Sequence, residues 1–206
     1  MQIFPGTDGR GHWEAVLVAS SAGGVQGLKV LLGGLRATFP VPVLVAQHLN
    51  RSGGTRIVTI LARSTALTVK LAEDGERPRA GTVHIAPPDR HLCVREDGTL
   101  SLTHEDRVNY ARPAADPLFE SAATAYGAGV IGCVLTGADG DGARGVEAIK
   151  AQGGTVLVQD PETAEFHGMP KAAVSTGRVD HVLPLADIAP ALNRLVQENG
   201  NAEGPS

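Results

Sequence analysis

The sequence predicts an α/β protein: a doubly wound, mostly parallel sheet, Rossmann-like and three-layered, carrying one inserted antiparallel β-hairpin. Three observations lead there. Short apolar or β-branched runs recur at 15–20, 43–46, 130–135, 155–158 and 182–183 without the alternation of a half-exposed strand, which is the pattern of strands buried on both faces. Stretches with helical spacing follow several of them. One segment, 82–103, breaks this rhythm with short runs and a turn.

Taken in order, Ala15 to Ser20 reads as the first strand, and Leu28, Leu31, Leu32 and Leu35 place one apolar stripe on the helix after it. Val43 to Ala46 is the second strand, followed by a helix whose inner face carries Ile57, Ile60 and Leu61. Thr82 to Ala86, His91 to Arg95 and Leu100 to Thr103 are short, and Glu96-Asp97-Gly98 supplies a turn between the last two, so a hairpin is expected here. A helix over Pro117 to Tyr126 leads to the strand at Val130 to Leu135. Val146, Ile149 and Lys150 mark a further crossover helix, with Glu147 outward. In such a sheet, ligands bind in the crevice beyond the carboxyl ends of the strands.

At 206 residues one compact domain is expected, over 13–196, with 1–12 and 197–206 as flexible polar termini. Charged residues make up 19% and the net charge is -4 with no basic cluster, which argues against nucleic acid or an anionic membrane as partner. Cys93 and Cys133 each lie inside an apolar run and are expected as buried, reduced thiols. No apolar run is long enough to span a bilayer and the first twelve residues do not form a signal peptide. A cytoplasmic protein is therefore expected.

Three strand ends carry residues with chemistry. Ser21 follows the first strand directly and precedes Ala22-Gly23-Gly24 and a helix, a turn that exposes a hydroxyl beside free helix N–H groups. The same residues could simply cap the helix or hold a phosphate. The dinucleotide spacing G-x-G-x-x-G is absent. His48 ends the second strand, where an imidazole suits proton transfer, or where a structural histidine could sit. The strand at 130–135 runs into Thr136-Gly137-Ala138-Asp139-Gly140-Asp141-Gly142-Ala143. An EF-hand would require oxygen ligands where Ala143 and Lys150 stand, so calcium is not expected there.

With these motifs in order, the chain resembles the catalytic domain of the chemotaxis protein-glutamate methylesterases, the CheB family. Ser21-Ala22-Gly23-Gly24 is similar to the family's S-T-G-G, Gln47-His48-Leu49 to Q-H-M, and Thr136 to Ala143 to T-G-M-G-x-D-G-A. Ala86 to Leu92 is similar to A-P-G-x-x-H-M, Arg112 to Phe119 to R-P-S-V-D-x-L-F, and Gly168-Met169-Pro170 to G-M-P. The resemblance implies a Ser21, His48, Asp141 triad that hydrolyses glutamate methyl esters on chemoreceptor cytoplasmic helices, and often deamidates glutamine there. It requires no cofactor and no metal. It places the oxyanion hole at the backbone of Ala22 and Ala138, and suggests Gly23, Gly24, His91, Arg112 and Met169 as cleft residues. Arg112 and Asp116 could instead pair with each other before their helix, His91 could be a solvated hairpin residue, and Met169-Pro170 could only start a helix.

The departures from the family pattern are specific. Ala22 lacks the family's threonine hydroxyl, Ala138 replaces its methionine, and Asp139 replaces a glycine. A carboxylate at 139 is expected to raise the pKa of His48 or to repel an acidic substrate. Family members commonly carry a receiver domain for which room is not expected here, so the resemblance leaves three expectations open: a constitutively open enzyme, regulation by a separate response-regulator chain, or a role outside standard chemotaxis. Two alternatives stand beside the esterase: a non-catalytic signalling or binding module of the same fold, and a phosphate- or nucleotide-binding α/β protein using 20–24 as an anion loop.

Overall fold

The computed structural model describes residues 12–48 and 54–198. The expected flexible termini lie almost wholly outside the described residues, as does Leu49 of the Q-H-L motif. Seven parallel strands form the central sheet: β1 (Ala15–Ser20), β2 (Val43–Gln47), β3 (Thr68–Leu71), β4 (Thr82–Ile85), and then, after the inserted hairpin of β5 (His91–Val94) and β6 (Leu100–Thr103), β7 (Val130–Val134), β8 (Thr155–Gln159) and β9 (His181–Leu183). Their order is β3-β4-β2-β1-β7-β8-β9. The helices are α1 (Gly24–Gly34), α2 (Gly54–Ala62), α3 (Ala115–Tyr126), α4 (Ala143–Ala151), α5 (Gly168–Ser175) and α6 (Leu185–Glu198).

Side-chain alternation along β1 separates two cores. Val16 and Val18 pack with Leu28, Leu31 and Leu32 of α1, Ile57 and Leu61 of α2, and Ile188 and Leu192 of α6. Ala15, Leu17 and Ala19 face the opposite side, against Leu118 and Phe119 of α3, Val146 and Ile149 of α4, and Leu92 and Leu100 of the hairpin. Every residue of β1, β2, β7 and β8 is buried. That is why these four strands read as continuous apolar runs.

The sequence reading differs from the fold at several places. Ile60, expected on the inner face of α2, is exposed, and Val182 of the short edge strand β9 is exposed too, so that strand is not buried on both faces. Thr82–Ile85 does not join the hairpin. It pairs in parallel with β2 and β3 inside the main sheet, so only β5 and β6 form the two-stranded insert. Cys93 is half-buried rather than fully buried, whereas Cys133 is enclosed; both are free thiols whose pKa burial pushes up. Helix α6 continues through Glu198, two residues past the expected domain end.

The chain winds outward in both directions from β1, which pairs with β2 on one side and β7 on the other. This is the point at which the strand order reverses, and a crevice opens there beyond the strand ends. Ser21 and His48 stand just past the ends of β1 and β2, and the 136–142 loop leaves β7 between them and α4.

Candidate active site

Local packing fixes the turn after β1. Gly23 adopts φ +72°, which a side chain disfavours, and a Cβ on Gly24 would lie 2.2 Å from Gln47 Oε1. Gln47 is itself buried and ties the two loops together: Ser20 Oγ donates to its Oε1 (2.7 Å), and its Nε2 donates to Ser21 O (2.9 Å) and His48 O (3.0 Å). From the other side, Ser21 N–H donates to Thr136 O and His48 N–H to Ser20 O. The backbones of all three loops are thereby bonded to one another. Gly23 and Gly24 shape this turn, while Ser21 and Ala22 line the cleft.

The cleft has a volume of about 590 Å³ and is walled by Ser21, Ala22, His48, Asp139, Arg112 and Asn109, among others. Across it, His48 Nε2 lies 2.8 Å from Asp141 Oδ2. Asp141 is fully buried, and its carboxylate is held from four directions. Oδ2 also accepts from Ala115 N–H (2.5 Å); Oδ1 accepts from Asp116 N–H (3.2 Å) and Asn109 Nδ2 (3.2 Å). Ala115 and Asp116 are the first residues of α3, whose N-cap position, Ala114, contributes no side-chain cap. Asp141 therefore caps α3 from another loop, and the positive end of that helix compensates its buried charge.

The arrangement is reciprocal. Asp116 Oδ1 accepts from Gly145 N–H (2.9 Å) in the first turn of α4, the helix that follows Asp141. Each helix thus receives its cap from the chain at the start of the other. Gly145 allows the close approach, since a Cβ there would meet that of Phe119 on α3 at 2.4 Å. Burial raises the Asp116 pKa, with the Asp141 charge adding to it, against the opposing bond from Gly145.

The second ring nitrogen of His48 is also taken. Nδ1 lies 3.3 Å from Asp139 Oδ2, and Asp139 Oδ1 accepts the Asp141 N–H at 3.1 Å. Burial pulls the His48 pKa down, but hydrogen bonds to Asp139 and Asp141 and their charges outweigh it, and the pKa is pushed up to about 9. Asp139 is held low in turn, first by its bond to His48. Among the described residues, Ser21 Oγ and the N–H groups of Ala22 and Ala138 have no hydrogen-bond partner.

Several expected cleft residues are placed elsewhere. His91 is buried, not solvated on the hairpin and not in the cleft. Its Nδ1 accepts from Ala114 N–H (3.2 Å) and its Nε2 donates to Asp106 O (3.0 Å), which anchors the 104–114 loop. Met169 is also enclosed, with its sulfur packed under Gly137, where a Cβ would clash at 2.0 Å. It supports the 136–142 loop from behind and does not form the cleft wall. Arg112 does line the cleft, but it does not pair with Asp116. Its Nε and Nη2 donate to Asp89 Oδ1 (3.1 and 2.7 Å) and its Nη1 to His104 O and Glu105 O. Asp116 is met by Arg144.

Comparisons with known proteins show the family and the fold. The family described as CheB methylesterase matches residues 16–192. The chain belongs to the CheB methylesterase family. A Leptospira interrogans relative bearing the protein-glutamate methylesterase/protein-glutamine glutaminase name is 40% identical over 188 residues, covering 91% of this chain and 97% of that protein. A Caulobacter vibrioides protein-glutamate methylesterase/protein-glutamine glutaminase 2 is also 40% identical, covering 90% of this chain but 55% of its own length. The crystal structure of the Thermotoga maritima CheB methylesterase catalytic domain superposes with a TM-score of 0.86 at 37% identity, covering 89% of this chain and 99% of that one. As a CheB-family member the chain is a carboxylic ester hydrolase with a Rossmann-like three-layer fold. Among the described residues no cluster of metal-ligating side chains occurs, and no helix is long and apolar enough to cross a membrane.

Proposed function

We propose that this chain hydrolyses glutamate methyl esters on the cytoplasmic helices of chemoreceptors, and deamidates glutamine at such sites, in chemotaxis signalling, using Ser21 as nucleophile, His48 as general base and Asp141 as the carboxylate that orients it. The observation that carries this reading is the His48–Asp141 contact at 2.8 Å in a cleft that Ser21 also lines. A carboxylate locked by two helix amides and Asn109 fixes the ring plane and leaves Nδ1 as the nitrogen that serves the nucleophile.

In the reaction, neutral His48 removes the Ser21 hydroxyl proton as Oγ attacks the ester carbonyl. The Ala22 and Ala138 N–H groups, which have no other acceptor among the described residues, stabilise the oxyanion. Methanol leaves with the proton returned by His48. Water, activated by the same nitrogen, then hydrolyses the glutamyl-enzyme. Each step belongs to side chains or backbone groups of this chain.

Ser21→Ala tests the assignment. Methanol release from a methyl-esterified receptor cytoplasmic fragment is expected to fall by about 10³-fold or more in the variant. Equal release from both proteins would remove Ser21 from the chemistry. The Leptospira and Caulobacter names support the substrate class.

A further inference from the structure

We infer that Asp139 is a positioning residue that competes with Ser21 for His48 Nδ1, holding the ring as an imidazolium and thereby setting the pH at which the base becomes available. The inference rests on the esterase reading for its consequence, but the hold itself is geometric. A working general base must present an unprotonated Nδ1 to the serine, whereas here that nitrogen faces Asp139 Oδ2 at 3.3 Å and Ser21 Oγ is without a partner among the described residues.

Asp139 is fixed for this role. Its other oxygen accepts the N–H of Asp141, so the two carboxylates of one loop grip opposite sides of one ring. Asp139 is partly exposed, with 36% of its side-chain surface accessible, whereas Asp141 is sealed. The other charged side chains lining the cleft make hydrogen bonds away from the ring. Asp89 and Arg112, from the β4–β5 turn and the 104–114 loop, line the cleft and bind each other; Arg107 of that loop donates to Tyr110 O; Asp116 of α3 lies behind Asp141. Two carboxylates therefore contact the imidazole directly, and His48 carries its proton at neutral pH. Losing the Nδ1 proton to solvent, as pH rises, frees the lone pair for Ser21.

Two variants separate charge from occupancy. Asp139→Asn keeps a group of the same size without the charge; Asp139→Ala removes the occupant as well. His48 titration is followed by NMR of its imidazole Cε1–H in the full chain. Both variants are expected to titrate at least one pH unit below the unaltered protein. In kcat/KM for methanol release the acid limb should move down with it, raising activity at pH 7 by roughly ten-fold or more. The high-pH plateau should stay within a few-fold, which a merely structural defect would not spare. His48 titrating at one value in all three proteins would overturn the inference. A shifted titration with no methanol from any form would uphold the Asp139 hold and count against the esterase reading instead.

Discussion

Asp141 and Asp139 lie two residues apart in one loop and flank one imidazole, yet their surroundings make them opposites. Asp141 is buried, receives two helix N–H groups and the Asn109 amide, and also caps α3. Asp139 is partly exposed, and away from His48 it is held by backbone amides of its own loop, that of Asp141 among them. The helix amides compensate the buried charge of Asp141 and fix its position. The difference teaches that the contact made by Asp141 is part of the architecture, whereas that made by Asp139 is an addition to it. Removing either should therefore have consequences of different sign.

The largest effect is expected at Asp141. Asp141→Asn removes the orienting charge, and turnover should fall by about 10⁴-fold. Because the same carboxylate caps α3, the variant should also lose roughly 3 kcal/mol of stability, measured by urea denaturation. Intact stability with lost turnover would show that capping and orientation are separable.

The next effect is on stability as a function of pH. A histidine whose folded pKa is raised binds its proton more tightly in the folded state. Its contribution is complete below the unfolded value of 6.5 and is lost as pH rises through about 9. For His48, 15% exposed, the upper bound is roughly 3 kcal/mol. The melting temperature should decline across this window. In Asp139→Asn the decline should end at lower pH, and a profile unchanged by that variant would break the contrast between the two carboxylates.

A smaller effect is expected at Asn109, which donates to both Asp116 and Asp141 from the 104–114 loop. Asn109→Ala should cost about 1–2 kcal/mol and lower kcat a few-fold with little change in KM, because Asp141 keeps its helix amides. A loss as large as that of Asp141→Asn would mean that the amide, and not the helix terminus, holds the carboxylate.

Much of this frame is readable from sequence because β1, β2, β7 and β8 are buried on both faces and leave continuous apolar runs. β3 was not recognisable, since its residues are exposed or half-buried and Thr68 and Lys70 interrupt the apolar pattern. β4 is as short as the hairpin strands beside it, and nothing local says which partner it takes. At the site, strand ends brought Ser21, His48 and the 136–142 loop together as expected, and the substitution at Asp139 already pointed to a perturbed His48. Asn109 carried no signal: it sits in an irregular loop at φ +49°, outside any periodicity. The four-residue spacing of Arg112 and Asp116 suggested a pair, but only Asp116 lies within α3, so helical geometry does not bring them together. His91 and Met169 belong to motifs near the cleft, and their burial depends on packing that spacing does not encode.

The most direct test of the account is the rate at which a fluorophosphonate labels Ser21 at pH 7 in the unaltered protein, Asp141→Asn and Asp139→Asn, read by mass spectrometry of the Ser21 peptide. The account predicts slower labelling in Asp141→Asn and faster labelling in Asp139→Asn. Labelling that changes in the same direction in both, or that occurs at a residue other than Ser21, would contradict it.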